Sequence, residues 1–564
     1  MLASAASGAV SYMPLSEVRA GQLGIGKTVF QGDKIEDFQV EILGILANTG
    51  PKESIILARL SGGPLEHTGV MQGMSGSPVY IGGRLVGAVA LAFPYAKDPI
   101  AGIRPIEEML RVEGMPGPPA TRLVAGSVVP RVPVVAGDSR MVEVATPLSL
   151  SGFSSKAVEA FTPGLRALGL EPRQGMSVGG AGDLIMGDPS KLQPGAMISV
   201  ELMTGDMSVG ADGTLTCIDG NKVFAFGHRF LSVGPTDLPF TRSEVITLLA
   251  NVNTSFKISE AKELMGVISQ DRNTAVSGVL GKRAATLPLE ISVVQDGQAV
   301  GSYKMQVVND RFLSPYLMQM ALFSAIEATE RSTGASSLKI RGQVEFEGRP
   351  DVVEMRNFYA GETSSAMVAA TTTALPLSYV MQGGFDALKV KRISVRLETS
   401  NKKKDLAISQ LYVSRREVHP GDTVELTAML DGQDGVEVRR SLTYKVPVGT
   451  APGTMYFTVA DGGQTTLADL RQTATVTPHS PEQLIANVNR LRSGDRAYLR
   501  VWRAEAAFEA GGDELPDPPP SLALVLGGSQ SLSQNKNSKV AEMVVDAGDM
   551  MVSGSKTVQI EVVE

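Results

Sequence analysis

Hydrophobic and polar residues alternate over short runs along much of the chain, a period that is typical of half-buried β-strands. The first five runs are bounded by Gly, Pro or Asn and lie at residues 26–30, 38–46, 54–60, 79–81 and 84–90. The last two are separated by Gly82-Gly83, which supplies the positive φ angles of a tight hairpin turn. The pattern therefore predicts a β-rich unit over 13–112, closed by a short helix at 105–110.

The rhythm of short strands continues towards the C-terminus. A Pro- and Gly-rich run at 114–119 opens a predicted linker and connecting segment, 113–189. Residues 190–285 predict a second β-rich block, with Asp219-Gly220 as a hairpin turn. The remaining predicted domains are a β-rich domain with one amphipathic helix near 314–330 (286–400), an immunoglobulin-like β-sandwich (401–478) and a C-terminal α/β tail (479–564).

Composition agrees with several folded β-rich domains. The chain has 564 residues, of which 43% are hydrophobic and 20% charged, and it contains 60 glycines and 32 prolines. The net charge is −7 and no long basic cluster occurs, which argues against a nucleic-acid partner. The single cysteine, Cys217, excludes an intrachain disulfide. Four scattered histidines without companion cysteines predict no structural zinc, and no cofactor is implied.

Location is predicted from the ends and the hydropathy of the chain. No run of 18 apolar residues occurs, so no integral membrane helix is expected. The small residues at 1–8 are typical of a mature N-terminus left by signal-peptide cleavage, which favours an exported protein whose signal peptide is missing. A cytoplasmic protein with an irregular N-terminus is the alternative.

The segment Gly73-Met74-Ser75-Gly76-Ser77-Pro78 is the first candidate for chemistry. A serine between a turn and a strand can present its hydroxyl, and small neighbours let backbone N–H groups surround an oxyanion. Gly73 and Ser75 would donate those two hydrogen bonds. The same hexapeptide also fits a flexible turn ahead of a hairpin.

A serine nucleophile needs a base, and histidine has the pKa closest to working pH. His228 follows the apolar run 223–226 and a glycine, so it is expected at a strand end, where side chains can face a cleft. A hydrogen-bonded structural histidine is the other interpretation. His67, His419 and His479 are expected in loops.

These residues carry a family resemblance. Residues 38–112, with the string Gln72 to Pro78 and a later Gly83 to Val89, closely resemble the nucleophile half of the SpoIVB peptidases, which are chymotrypsin-like serine peptidases of bacteria. Ser75 falls on the nucleophile of that family.

A later part of the chain is similar to the histidine half of the family, and His228 falls on the catalytic histidine. The similar residues are Gly205-Asp206, 211–216, 225–228, 255–257, 266–268, Asp271-Arg272 and 278–281. The resemblance, over roughly 13–112 and 190–285, implies a pair of β-barrels and serine-peptidase activity.

Two features depart from the family pattern. The serine half precedes the histidine half here, so the barrels come in permuted order; a triad is defined by geometry and not by chain order. The family's acidic position is Leu60. Asp206 is the preferred substitute because it lies in a matched Gly-Asp pair, with Asp237 and Glu66 as alternatives; each also fits a solvated turn acid.

The sequence therefore predicts a mainly β protein with a permuted, chymotrypsin-like barrel pair followed by β-rich domains. The leading hypothesis is an exported bacterial serine endopeptidase that acts on protein or peptide substrates, with Ser75 as nucleophile, His228 as base and Asp206 as acid. The alternative is a proteolytically inactive scaffold whose C-terminal β-domains bind cell-envelope proteins, which Leu60 favours.

Overall fold

A computed structural model describes most of the chain, namely residues 10–93, 96–114, 141–174, 184–329, 333–473, 478–505, 507–510, 513–516, 519–527, 533–535 and 537–564. The chain divides into two compact units. One consists of Met1–Leu289 with Tyr303–Ser324, and the other of Glu290–Ser302 with Ala325–Glu564.

The first unit begins with a closed six-stranded barrel. Its strands and helices are β1 (Leu23–Gln31), β2 (Lys34–Gly50), β3 (Glu53–Ser61), α1 (Leu65–Thr68), β4 (Pro78–Ile81), β5 (Arg84–Ala92), β6 (Ile100–Pro105) and α2 (Ile106–Leu110). The strands pair in the order β4-β1-β2-β3-β6-β5, and β4 pairs with β5 to close the barrel. Phe38, Val40 and Ile42 alternate along β2 and are buried in its core, as the period of two predicts.

A second closed barrel follows. The next elements are β7 (Val142–Glu143), β8 (Thr146–Ser151), α3 (Ser155–Ala167), β9 (Leu170–Gln174), β10 (Met197–Gly205), β11 (Ser208–Asp219), β12 (Lys222–Ala225), β13 (Gly234–Leu249), β14 (Phe256–Arg272) and β15 (Ala275–Leu280). The closed order is β10-β13-β14-β15-β12-β11. β8 adds to β11, so part of the predicted linker 113–189 extends this sheet.

The two barrels contact each other through backbone and apolar side chains. Gly32, in the β1–β2 turn, and Val245 of β13 exchange two backbone hydrogen bonds of 2.7 Å. Leu85 of the first barrel and Phe224 of the second share one hydrophobic cluster, which also holds Cys217. The predicted mainly β fold with a chymotrypsin-like pair of barrels is thus confirmed.

The next elements are β16 (Thr286–Gln295), β17 (Gln298–Val308), α4 (Leu313–Thr329), β18 (Thr333–Phe346), β19 (Val352–Thr363), α5 (Ala366–Gln382) and β20 (Val390–Ser400). α4 occupies the place of the helix predicted near 314–330, but α5 is a second helix in the segment 286–400, for which one helix was predicted. β18 is the central strand of β19-β18-β20 in the second unit. Short 3-10 helices lie at Leu15–Glu17, Arg111–Gly114, Pro189–Lys191 and Gln433–Gly435.

The C-terminal part of the second unit contains two sheets around one core. Its elements are β21 (Asp405–Val413), β22 (Glu417–Val418), β23 (Thr423–Gly432), β24 (Glu437–Lys445), β25 (Gly453–Asp461), α6 (Gly462–Thr473), α7 (Pro481–Asn489), β26 (Arg496–Arg503), β27 (Ala507–Ala510), β28 (Asp513–Pro516), α8 (Pro520–Gly527), β29 (Ser533–Asn535), β30 (Ser538–Asp546), β31 (Met551–Ser553) and β32 (Ser555–Val562).

The two sheets have the orders β24-β23-β21-β31 and β22-β32-β25-β26-β30, and β28-β27-β29 form a small third sheet. Strands on both sides of the predicted 478/479 boundary pair with each other, because β25 lies between β26 and β32. The segments 401–478 and 479–564 therefore share one sandwich. Its immunoglobulin-like type stays a prediction.

Candidate active site between the two barrels

The serine-bearing loop runs from α1 to β4 and enters the contact between the barrels. Ser75 is fully buried. Gly73 and Gly76 have φ angles of +89° and +93°, which L side chains rarely adopt. A Cβ atom at Gly76 would lie 1.9 Å from the carbonyl oxygen of Thr214, so only glycine allows the loop to approach the second barrel this closely.

Strand β11 of the second barrel donates three hydrogen bonds to this loop. The backbone N–H of Thr214 donates to the carbonyl oxygen of Ser75 at 2.8 Å. The Thr214 hydroxyl donates to the carbonyl oxygen of Gly73 at 2.8 Å, and the Thr216 hydroxyl donates to that of Gly76 at 2.7 Å. The conformation around Ser75 therefore depends on both barrels.

Some N–H and O–H donors of the loop have an acceptor and others do not. The amides of Met74, Gly76 and Ser77 donate to carbonyl oxygens of Met71, Val89 and Met74. Within the described part of the chain, the amides of Gly73 and Ser75 have no acceptor, and the Ser75 hydroxyl has no hydrogen-bond partner. An acyl-transfer site needs such an arrangement, because the hydroxyl must attack and the two amides must bind the oxyanion.

His228 follows β12 after a turn in which Phe226 and Gly227 have φ angles of +69° and +70°. The Phe226 amide donates to the Thr214 carbonyl oxygen at 3.3 Å, and Thr214 is the residue whose amide binds Ser75. A Cβ atom at Gly227 would lie 3.4 Å from the carbonyl oxygen of Val89, which accepts the Gly76 amide. The segments of Ser75 and His228 thus contact the same two residues, Thr214 and Val89.

The imidazole of His228 is fully buried, and its Nδ1 lies 2.7 Å from the carbonyl oxygen of Arg229. A proton on Nδ1 would donate to that oxygen, which leaves the lone pair of the neutral ring on Nε2. Since the Ser75 hydroxyl makes no hydrogen bond within the described residues, Ser75 and His228 are not hydrogen-bonded to each other.

Asp271 of β14 orders the chain after His228. Its carboxylate accepts the amides of Phe230 at 2.8 Å, Leu231 at 2.6 Å and Val233 at 3.3 Å. Burial raises the pKa of Asp271, and these amide hydrogen bonds oppose that shift. In the sequence Asp271 stands out only as part of the resemblance. Its role leaves no local signal, because its partners are backbone groups of a distant segment.

Arg104 supports the turn before His228 from the first barrel. Its Nε donates to the carbonyl oxygen of Gly227 at 3.4 Å, and its guanidinium pairs with Glu53 and Glu108. Only 5% of Arg104 is exposed. The signal in the sequence is a single charged residue in the otherwise apolar run 100–106.

The acidic residues considered for the triad lie elsewhere. Leu60, at the family's acidic position, is fully buried in the core of the first barrel. Asp206 is exposed in the β10–β11 turn and accepts the Lys304 amide at 2.7 Å. Asp206 lies two residues before Ser208, the first residue of β11. Thr214, whose amide binds Ser75, lies six residues further along this strand, which is about 20 Å at the usual strand rise. The structure therefore does not bring Asp206 to Ser75 and His228, because Asp206 lies in the turn of the β10–β11 hairpin.

Of the two alternative acids, one is paired with other groups and the other is exposed. Asp237 pairs with Lys282 at 3.3 Å and accepts the Ala285 amide at 2.9 Å. Glu66 is exposed on α1, as is His67. His419 is exposed and lies 3.7 Å from Asp422 in the second unit.

A cluster of buried charges fills the second barrel beside the loop. Glu201, Asp212 and Lys257 are 4%, 3% and 2% exposed. Burial raises the pKa of Glu201 to about 7 and that of Asp212 to about 6, and the two carboxyl groups also repel each other. Burial lowers the pKa of Lys257 to about 7, while the charge of Asp212 opposes that shift.

Among the described residues, no helix is long and apolar enough to cross a membrane. No group of three or more His, Cys, Asp or Glu side chains in this part of the chain is arranged to hold a metal ion.

The first barrel matches the sequence model of a known family. Residues 5–110 match the sequence model of the family SpoIVB peptidase S55. The match covers the first barrel and the loop of Ser75, so the resemblance predicted for the serine-bearing half is confirmed. Searches of curated proteins and of solved structures found no significant match.

Proposed function

We propose that this chain is a serine endopeptidase in which Ser75 is the nucleophile and His228 the general base. The observation that carries the proposal is the loop around Ser75, whose hydroxyl and two flanking amides are left without partners among the described residues. The peptidase family match over residues 5–110 supports the same reaction class.

In this mechanism the Ser75 hydroxyl attacks the peptide carbonyl carbon, and its proton passes to Nε2 of His228. The amides of Gly73 and Ser75 hold the oxyanion. His228 then gives the proton to the leaving amine, and water hydrolyses the acyl-enzyme.

In a triad the acid orients the imidazole. Here the Arg229 carbonyl oxygen does so, because it fixes the proton of His228 on Nδ1. A neutral carbonyl stabilises the imidazolium less than a carboxylate does, and loss of the triad aspartate costs roughly 10⁴-fold in rate. Ser75 and His228 are also fully buried, so the cleft has to open before a substrate reaches them. We therefore expect slow turnover. Export from the cell and protein substrates are part of this proposal.

The test is labelling of the full chain with a fluorophosphonate probe. Ser75→Ala is expected to abolish labelling, and His228→Ala to slow it by roughly 10³-fold or more, because the serine loses its base. Ser61→Ala and His67→Ala replace exposed residues and should label like the native chain.

A second candidate function is an inactive, protease-like scaffold that binds cell-envelope proteins through its C-terminal β-domains. The burial of Ser75 and His228 and the leucine at position 60 favour it. If the folded native chain is not labelled while a control protease is, the peptidase proposal fails and the scaffold is favoured.

A further inference from the structure

We propose that Lys257 is a positioning residue for the loop that carries Ser75, and that its ammonium fixes this loop through a hydrogen-bond chain across the barrel interface. The inference deepens the proposed function and rests on it where activity is concerned. It assigns a role to a buried cation that the peptidase mechanism above does not use.

The backbone of Lys257 pairs with the start of the loop. Its amide donates to the Gln72 carbonyl oxygen at 3.2 Å, and the Gln72 amide donates to the Ser255 carbonyl oxygen at 2.9 Å. The lysine stem then passes Gly73, where a Cβ atom would lie 3.2 Å from Cδ of Lys257. Lys257 therefore packs directly against one of the two proposed oxyanion donors.

The ammonium group crosses from the second barrel to the first. Nζ of Lys257 donates to the Thr28 hydroxyl at 2.7 Å, and the Ser77 hydroxyl donates to the same oxygen at 3.1 Å. Thr28 and Ser77 are fully buried. Since Ser77 follows Ser75 by two residues, these two hydrogen bonds hold the end of the loop. The aliphatic part of the lysine side chain holds its beginning.

Burial of an ammonium group is unfavourable unless it is paired and hydrogen-bonded. Asp212 on β11 is the charged group that acts on Lys257, and the charge of Asp212 also raises the pKa of Glu201 on β10. A methionine would fill similar space without the desolvation of a charge. A costly buried charge that contacts a candidate nucleophile loop is a mark of a functional position.

The experiment compares Lys257→Met and Thr28→Val with the native full chain. Labelling rates with the fluorophosphonate probe are measured together with peptide-resolved hydrogen exchange of residues 71–77. Lys257→Met should slow labelling about tenfold or more and speed exchange of 71–77, because one charge-assisted hydrogen bond is lost. Thr28→Val keeps the lysine and removes only its acceptor, and should act in the same direction. Lys262→Met, on the same strand and ion-paired to Glu260, is the matched control.

A pH profile separates positioning from general stability. The ammonium form of Lys257 donates the stronger, charge-assisted hydrogen bond, and burial lowers its pKa to about 7. The native labelling rate should therefore fall above about pH 7, and Lys257→Met should lack this fall. A purely structural role for the lysine would not remove that limb of the profile.

The inference is overturned if Lys257→Met leaves labelling and the exchange of 71–77 unchanged. It is also overturned if exchange rises equally over the whole second barrel while Thr28→Val has no effect. If the native chain is not labelled but both variants selectively speed exchange of 71–77, the positioning role stands and the peptidase proposal fails.

Discussion

At the residue scale, the most informative side chains are charges inside the second barrel. Glu201 and Asp212 lie in the predicted β-rich block 190–285, but their inward direction depends on register, and a slip of one residue would turn both outward. Composition and spacing therefore could not reveal that Asp212 lies near enough to act on Lys257. Ser75 and His228 could be proposed from the sequence because their motifs are local.

Glu201 makes the stability of the second barrel depend on pH. Burial raises its pKa from 4.5 to about 7, so the folded state holds the proton over a range in which the unfolded chain has lost it. This stabilisation is complete below about pH 4.5 and is lost as the pH rises towards 7. Glu201→Gln should remove that loss and make the chain more stable than native at pH 8, by on the order of 1 to 3 kcal/mol.

Denaturant unfolding followed by far-ultraviolet circular dichroism at pH 5 and pH 8 measures the difference. Asp212 and Lys257 titrate in both proteins, so the comparison measures Glu201 together with its repulsion of Asp212. Glu66→Gln, at an exposed position, is the control. Unfolding free energies of Glu201→Gln that parallel the native values at both pH values would contradict the assignment.

At the element scale, the serine loop is defined by glycines at two kinds of position. Gly76 and Gly83 both have positive φ angles, but a Cβ atom at Gly76 meets the Thr214 carbonyl at 1.9 Å, whereas Gly83 has open space around it. The hairpin turn at 82–83 could be predicted from the sequence because its requirement is local. The close approach at Gly76 could not, because the partner lies about 140 residues away.

Substitution with alanine separates these two requirements. Gly83→Ala should lower the free energy of unfolding by about 1 kcal/mol, the usual effect of a left-handed alanine. Gly76→Ala should lower it by about 3 kcal/mol or more and abolish labelling, because the loop has to move away from β11. Thermal unfolding and labelling measure both effects. Native-rate labelling of Gly76→Ala would refute the close contact.

At the scale of the whole molecule, the sequence predicts the barrel pair well and the later boundaries less well. The segments 13–112 and 190–285 each contain a complete barrel. The connecting segment contains β8, which extends the second barrel, and the sandwich includes strands from the predicted tail. The alternation of hydrophobic and polar residues in short runs indicates where strands lie. Pairing between distant strands such as β25 and β32 leaves no local signal in the sequence.

A chain that ends at residue 478 should therefore lose the sandwich. β25 would lose both of its neighbours, β26 and β32, and the core would lose their apolar residues. Hydrogen exchange of residues 405–413 should become fast in this truncated chain. As a control, replacing 507–535 with a short Gly/Ser turn keeps the β26–β30 pair and should leave exchange slow. Slow exchange in the truncated chain would show that 401–478 folds alone.

The contact that orders the serine loop joins two separately closed barrels, so the candidate site resembles a complex between tethered partners. A tether raises the local concentration of one partner around the other and leaves the chemistry of their contact unchanged. The order in which the two barrels follow each other along the sequence then leaves the chemistry of the site unchanged. Insertions in the connection are tolerated as long as its span allows docking, whereas a change on either docking face acts on both halves of the site at once.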